Sequence, residues 1–454
     1  MSHSELNIIV LAAGKGTRMK SSLHKVLHPV AGKSMIHHLL DSVNQLGPHD
    51  LTLVIGSNKE QLKSAVPNVN YAEQNEQLGT GHAVMMARDF FRNKNGDTLV
   101  LYGDVPFIPK DVMEKMITAR HRDLQGKKPA MVVLGFEAED PGKYGRLILS
   151  PDGTLEKIVE YKDAREEEKA ITLCNSGMMI FDTKKLDEML DHLSNDNAAR
   201  EYYLTDLVEI ARSKEEIVAV TMATEDDVMG VNSRSDLAVA ESVFQNKLRQ
   251  KAMDEGVTLV DPSTVYFSAD TEIASDVTIE PNVFFGTKVK ISSGCVIKAN
   301  SHIEGTTIGE DAQIGPFARL RPGTHLDDKT KIGNFVETKK TYLGTGSKIN
   351  HLSYIGNAEV GQNVNIGAGT ITCNYDGFNK YKTMINDGVF IGTNTSLIAP
   401  VSIGSDAMTA AGSVIDKDIP AEALAIERTK QVNKEKMAVK FMAKAKAKAK
   451  KDKK

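Results

Sequence analysis

The sequence predicts two architectures in one chain: an α/β domain with a Rossmann-like, mostly parallel sheet, then a left-handed parallel β-helix of hexapeptide repeats. Three observations carry this. Apolar, strand-like runs alternate with helical patterns through roughly residue 230. A glycine-rich stretch, "LAAGKGTRM" at Leu11 to Met19, follows the first apolar run. Beyond Ile273 an aliphatic side chain returns every six residues, the signature of a parallel β-helix.

In chain order, "LNIIVLAAG", "LTLVIG", "DTLVLYGDVP" and "PAMVVLGF" read as buried strands. "MIHHLLDSVNQLG", "GHAVMMARDFF" and "KDVMEKMITARHRDL" read as helices between or beside them. Sheets of this kind place ligands beyond the carboxyl ends of their strands. Residues 1–234 are thereby assigned to a first domain. Residues 235–255, with Leu237, Ala240, Val243, Phe244 and Leu248 at helical spacing, read as a helical linker.

Residues 256–454 form the second domain, where the period changes. Ile273, Ile279, Phe285, Ile291, Ile297 and Ile303 are followed, after a shortened step, by Ile308, Ile314, Leu320, Leu326 and Ile332. The ladder continues through Leu343, Ile349, Ile355, Val360 and Ile366 to Ile391, Leu397 and Ile403. Three hexads close one triangular coil, with aliphatic residues stacked inside and coils rising at the strand spacing. "CNYDGFNKYKTMIND" is too polar to continue the ladder and predicts a projecting loop.

The chain's formal charge of −4 conceals an asymmetry. From Glu427 onward 12 Lys/Arg stand against 3 Asp/Glu, a surplus of +9 that leaves −13 on the remainder. This basic tail, from about residue 434, ends "MAKAKAKAKKDKK"; its charge admits a nucleic-acid or membrane site, while alternating Ala and Lys without aromatics favours a solvated, frayed terminus. No apolar run is long enough for a membrane span, and "MSHSELNII" lacks the features of a secretion signal. Cys174, Cys295 and Cys373 lie far apart without a CxxC pair, which suits a reducing cytoplasm.

A glycine-rich turn after a strand can aim backbone N–H groups at phosphate oxygens. Two familiar versions fail here. The Walker A pattern does not fit Gly14-Lys15-Gly16-Thr17, and "AGKS" at 31–34 has Leu27 where its first glycine belongs. The dinucleotide pattern G-x-G-x-x-G fails at Met19. Neither a Walker ATPase nor a dehydrogenase is supported.

What stands there instead, "LAAGKGTRM" followed by "HKVLHPVAGKSMI", resembles the sugar-1-phosphate nucleotidyltransferases. "EQLGTGHA", "LYGDVP", "YGR", "VEYKDA" and "NSGM" follow in that family's order. With the repeats and "GNFVETKK", "INHLSYIGNAEVG" and "NIGAGTITCNYDG", the resemblance covers all but the lysine tail. The whole is similar to the bacterial bifunctional N-acetylglucosamine-1-phosphate uridylyltransferase/glucosamine-1-phosphate N-acetyltransferases.

This resemblance implies acetyl transfer from acetyl-CoA to glucosamine-1-phosphate. Uridylyl transfer from UTP to N-acetylglucosamine-1-phosphate then releases pyrophosphate and supplies peptidoglycan and lipopolysaccharide precursors. It also implies Mg²⁺ and a cytoplasmic homotrimer acting on small molecules. The task in the first domain is to neutralise charge and align an in-line displacement. The backbone of Leu11, Ala12, Ala13 and Gly14, free of bulky side chains, suits close approach by the nucleotide, and Arg18 and Lys25 compensate phosphate charge. Gln74, Gly79 and Thr80 match uracil-reading positions, an amide being able both to donate to and accept from a pyrimidine edge. Tyr102 and Gly103 match further nucleotide or sugar contacts; Asp104 and Asn232 match the metal positions. Gly145, Glu160 and Asn175 match the sugar pocket.

In the second domain the repeat itself places residues. Arg321 follows inward Leu320, and Lys339 follows the inward position 338, so the two lie on one outer face in adjacent coils. Stacked cations repel, and an anion between them offsets that cost, which suggests a phosphate clamp. His351, two residues after inward Ile349, should point outward near a corner, where an imidazole can accept a proton from an attacking amine. The resemblance implies that His351 is the general base, and that Arg321, Lys339, Tyr354, Asn365 and Lys380 bind the sugar phosphate. It assigns Ala368, Asn374, Tyr375, Thr393, Ala411 and Arg428 to acetyl-CoA. Two departures stand out: Thr393 where the family often has Ser, and Asn357 near where an acid is common.

Overall fold

The apolar runs of the first half become one nine-stranded sheet in the computed structural model, which describes residues 5–197 and 199–452. β1 (Leu6–Ala12) is buried along its whole length, as a strand covered on both faces requires. The others are β2 (Asp50–Ile55), β3 (Asn70–Glu73), β4 (Asp97–Tyr102), β5 (Met131–Glu137), β6 (Arg146–Leu149), β7 (Leu155–Val159), β8 (Leu173–Asp182) and β9 (Val218–Ala223). The main order is β9-β5-β8-β4-β1-β2-β3, with the β6–β7 hairpin paired to β8. β4, β1, β2 and β3 run parallel, as do β5 and β9; β8 alone opposes its two central neighbours.

Alternation along β1 and β4 sends successive residues to opposite faces. Ile8, Val10, Leu99 and Leu101 join one apolar cluster; Ile9, Val100, Met179 and Phe181 join the other. The three predicted helices form, with one correction. "GHAVMMARDFF" is two helices, Thr80–Met86 and Arg88–Phe91, because Ala87 leaves the helical range with ψ near 0.

The chain divides into two compact units, Met1–Leu248 and Arg249–Lys454, and the helix Arg234–Asp254 runs across the division. Its first half does more than connect. Ala240 is buried with Val30, Met35, Phe107 and Val231, and Phe244 stacks on Phe107 at a ring separation of 5.0 Å.

In the second unit the hexapeptide ladder becomes columns of inward side chains. Ile279, Ile297, Ile314, Ile332, Ile349, Ile366 and Ile391 are consecutive partners through parallel strand pairs up one face. Phe285, Ile303, Leu320 and Thr338 climb a second. Leu326, Leu343, Val360, Ile385 and Ile403 climb the third. The inward Thr338 is tolerated because its hydroxyl meets that of Thr324 at 3.0 Å.

Ile385 corrects the loop expectation. Thr383–Ile385 is a strand that rejoins the prism, so only residues 374–382 of the polar segment project from the coil. Asn374 at its base is buried. The tail also differs from the frayed terminus expected: Met437–Lys451 is a helix exposed along nearly all its length. Among the described residues no helix is long and apolar enough to cross a membrane.

Candidate active sites

β1 and β4 end side by side, with Leu11 opposite Tyr102, and beyond them opens a cleft of about 850 Å³. Leu11 to Gly14, Lys25, Gln74, Gly79, Thr80, Tyr102, Asp104, Gly145, Glu160 and Asn175 all line it. Gly16 explains how Lys25 reaches inward: at φ +58 a Cβ there would lie 2.8 Å from Lys25 Cβ. Lys25 Nζ forms an ion pair with Asp104 and donates to Asn232 Oδ1 at 3.2 Å. Asn232 is delivered by its neighbour, since the Val231 N–H donates to the Asp104 carbonyl at 2.9 Å. The N–H groups of Asn232 and Ser233 both donate to Asp236 Oδ2 at 2.9 Å, fixing that turn at the start of the helix.

The Asp104 carboxylate and the Asn232 amide oxygen thus converge on one cation, here an ammonium. Two hard oxygen donors beside an open cleft have the chemistry that would suit Mg²⁺. Among the described residues no three His, Cys, Asp or Glu gather into a closed metal cage.

Gln74 is buried, and its amide nitrogen donates to the Gly79 carbonyl at 3.0 Å, so the uracil-reading candidates form one bonded unit. Thr80 Oγ1 accepts from the Leu204 N–H at 3.1 Å. The Asn175 N–H donates to the Gly145 carbonyl at 2.8 Å, joining "YGR" to "NSGM". Burial, then the charge of Asp163, pushes the Glu160 carboxyl upward, and burial with Asp104 raises the Tyr102 phenol.

Three candidates stand apart from the lining, and one of them, Asn232, meets the cleft only through its bond to Lys25. Gly103 does not line the cleft; its N–H donates to the Leu11 carbonyl at 2.9 Å and holds β4 to β1. Arg18 is exposed and outside the lining. Burial raises the Asp236 pKa, but hydrogen bonds from Asn232 and Ser233 and the charge of Arg18 bring it below its usual value. The sequence reading missed Gln77, Lys143, Tyr144, Tyr161, Lys162 and Tyr203, which also line the cleft. Gln77, Tyr144, Tyr161 and Lys162 lie inside the motifs "EQLGTGHA", "YGR" and "VEYKDA"; Lys143 and Tyr203 had no such signal.

On the β-helix, Leu320 pairs with Thr338, so Arg321 and Lys339 are neighbours on adjacent coils as the repeat predicts. The charges of Arg321, then Lys380, lower the Lys339 pKa, so the projecting segment adds a third cation. Arg321 Nη1 donates to Glu337 Oε1 at 2.7 Å, a carboxylate partner the sequence reading missed.

His351 is exposed, and its Nδ1 lies 2.8 Å from Asn334 Oδ1, its cross-strand partner one coil below. An amide oxygen only accepts, so Nδ1 carries the hydrogen of this contact, and in the neutral imidazole the lone pair then sits on Nε2. Tyr354 is half-buried and pairs with Glu337; Asn365 is half-buried and pairs with Lys348. The coenzyme candidates continue a row above His351. The Gly369 N–H donates to the His351 carbonyl at 3.2 Å, Asn394 to Ala368 at 2.7 Å, and Gly412 to Thr393 at 2.8 Å. Arg428 Nη1 then donates to the Ala411 carbonyl at 3.0 Å. Asn374 Nδ2 donates to Asn357 Oδ1 at 2.9 Å, so the second departure supplies a partner, and Lys380 Nζ lies 5.6 Å from the Tyr375 ring centre.

The MobA-like NTP transferase domain model matches residues 8–189, and the hexapeptide repeat of succinyl-transferase matches residues 382–417. The chain is 47% identical over 451 residues to the bifunctional protein GlmU of Zymomonas mobilis, covering 98% of this chain and 99% of that protein. Identity to the protein of that name from Paramagnetospirillum magneticum is 48% over 453 residues, with both chains covered to 100%. The one from Sphingopyxis alaskensis is 51% identical over 434 residues, 95% of each chain.

Proposed function

The chain belongs to the family of bifunctional GlmU proteins, and from that membership we propose which of its sites carries each reaction. It is an enzyme with two transferase activities in UDP-N-acetylglucosamine synthesis. Acetyl transfer belongs to residues 256–454. Arg321, Lys339 and Lys380 hold the phosphate of glucosamine-1-phosphate, and Tyr354 and Asn365 orient the sugar. Its amine attacks the thioester carbonyl of acetyl-CoA, His351 Nε2 takes the proton, the C–S bond breaks, and coenzyme A leaves. Asn334 positions the imidazole. Ala368, Asn374, Tyr375, Thr393, Ala411 and Arg428 form the coenzyme row.

Uridylyl transfer belongs to residues 1–234, joined to the prism by the helical segment 235–255. Leu11 to Gly14 cradle the triphosphate, and Gln74, Gly79 and Thr80 hold uracil. Tyr102, Gly145, Glu160 and Asn175 hold the sugar. A phosphate oxygen of N-acetylglucosamine-1-phosphate attacks the α-phosphorus of UTP, and pyrophosphate leaves as that P–O bond breaks. Mg²⁺ held by Asp104 and Asn232 supplies charge neutralisation on the phosphates. Lys25 moves from those oxygens to the phosphates, and Arg18, exposed and outside the lining, compensates their charge.

We place the enzyme in the cytoplasm as a homotrimer acting on small molecules, with no nucleic acid and no membrane span. Exposed Phe317, Phe335 and Leu352, each at positive φ on one corner, favour lateral packing between copies.

The observation that carries the assignment is the His351–Asn334 pair on the unit that also carries the Arg321, Lys339 and Lys380 cations, and on the other unit Lys25 and Asp104 in the cleft with Asn232 bonded to Lys25. Incubation with glucosamine-1-phosphate, acetyl-CoA and UTP, followed by mass spectrometry, should show N-acetylglucosamine-1-phosphate and then UDP-N-acetylglucosamine. Absence of the acetylated intermediate would reduce the chain to a single-activity nucleotidyltransferase.

A further inference from the structure

Neither site uses the carboxyl-terminal helix Met437–Lys451, which follows an irregular stretch after the last coil. The helix has six lysines and no acidic residue, yet it is not uniformly polar. At about 100° per residue, Phe441, Ala445, Ala438, Ala449 and Met442 fall in one lysine-free arc. Lys440, Lys444 and Lys448 flank one edge of that arc, and Lys446 and Lys450 flank the other; Met437 and Val439 fall among the lysines. Phe441 is 65% and Met442 68% exposed, so nothing among the described residues covers this face.

We propose that this helix docks on an anionic lipid surface, lying in the plane of the headgroups with the Phe441–Met442 face inward. Two features on one helix argue for this occupant. The lysines along both edges can reach outward to phosphate headgroups while their methylene stems cover the acyl boundary. The apolar arc supplies the second, non-electrostatic signal that stable surface binding needs. A nucleic-acid strand would reward the charge but leaves an apolar arc unused; its signature is aromatic side chains spaced among the cations, and Phe441 is the sole aromatic after residue 390 and beyond the projecting segment. Charge complementarity alone would also permit an acidic protein surface, but that occupant, like a nucleic acid, gives the apolar arc no role.

The full chain should be sedimented with phosphatidylcholine vesicles containing about one third phosphatidylglycerol, and with pure phosphatidylcholine. Binding is expected to the anionic vesicles alone, and to weaken at least about tenfold when salt is raised from about 0.05 to 0.5 M. Phe441→Ser with Met442→Ser keeps every charge and should weaken binding at least about fivefold, whereas Phe441→Leu with Met442→Leu should retain it. Both catalytic activities should be unchanged in these variants. Failure to bind anionic vesicles, equal binding by the serine variant, or tighter binding to single-stranded RNA than to vesicles would overturn the proposal.

Discussion

Replacing Asn334 tests the reading of the acetyl-transfer base at a residue that touches no reacting atom. Asn334 Oδ1 lies 2.8 Å from His351 Nδ1, and the two backbones are cross-strand partners. Asn334→Ala leaves the imidazole in place but frees its ring orientation and its tautomer. One neutral hydrogen bond at an exposed site contributes about 0.5–1.5 kcal/mol. Losing it should lower acetyl-transfer kcat by about two- to tenfold, against about 10²-fold or more for loss of the base itself. Asn334→Asp provides the sharper readout. A carboxylate at that point holds the proton on the imidazole more tightly, so the acid limb of the pH–rate profile should move to higher pH. The assay is release of the coenzyme A thiol, with pyrophosphate release as the internal control. An unchanged acetyl-transfer profile in both variants, or equal loss of both activities, would refute the positioning role.

Lys25→Met should lower uridylyl transfer at least about tenfold while tightening Mg²⁺, because the ammonium no longer competes for Asp104 and Asn232. Calorimetric titration of the metal without nucleotide checks this, and weaker metal binding would contradict it. Asp206 is raised to about 6 by burial, then by Glu209 and Glu160, so the folded state holds its proton more tightly than the unfolded chain at 3.8. Asp206→Asn should therefore stabilise the protein above pH 6, with the gain fading as pH falls through that value toward 3.8, as urea unfolding at several pH values would show. Ile349→Ala opens a void in a fully buried column beneath His351 and should cost about 2–5 kcal/mol in urea unfolding. A loss below about 1 kcal/mol would mean that the coils collapse around the void.

The prism was legible because its interior admits only aliphatic or small residues at a fixed spacing, and Ile349 shows this directly. The same spacing placed Arg321 beside Lys339, since those coils keep the regular count. It concealed Asn334. The coil from Ile332 to Ile349 is one residue short of eighteen, so an unbroken count would pair His351 with Gly333. Ile385 was hidden likewise, because the projecting segment sits between it and Val360. In the first unit the motifs pointed to Lys25 and Asp104, and only the family resemblance added Asn232. Their meeting depends on Val231 bonding the Asp104 carbonyl, a tertiary contact with no local pattern. Ala87 broke a predicted helix without a glycine or proline to announce it.

The central claim is that each unit performs its own chemistry, and the most direct measurement is both activities in two parallel variants. His351→Ala should abolish coenzyme A release from acetyl-CoA and glucosamine-1-phosphate while leaving pyrophosphate release from UTP and N-acetylglucosamine-1-phosphate nearly intact. Asp104→Ala should do the reverse. Loss of both reactions in either variant, with the protein still folded, would contradict the account.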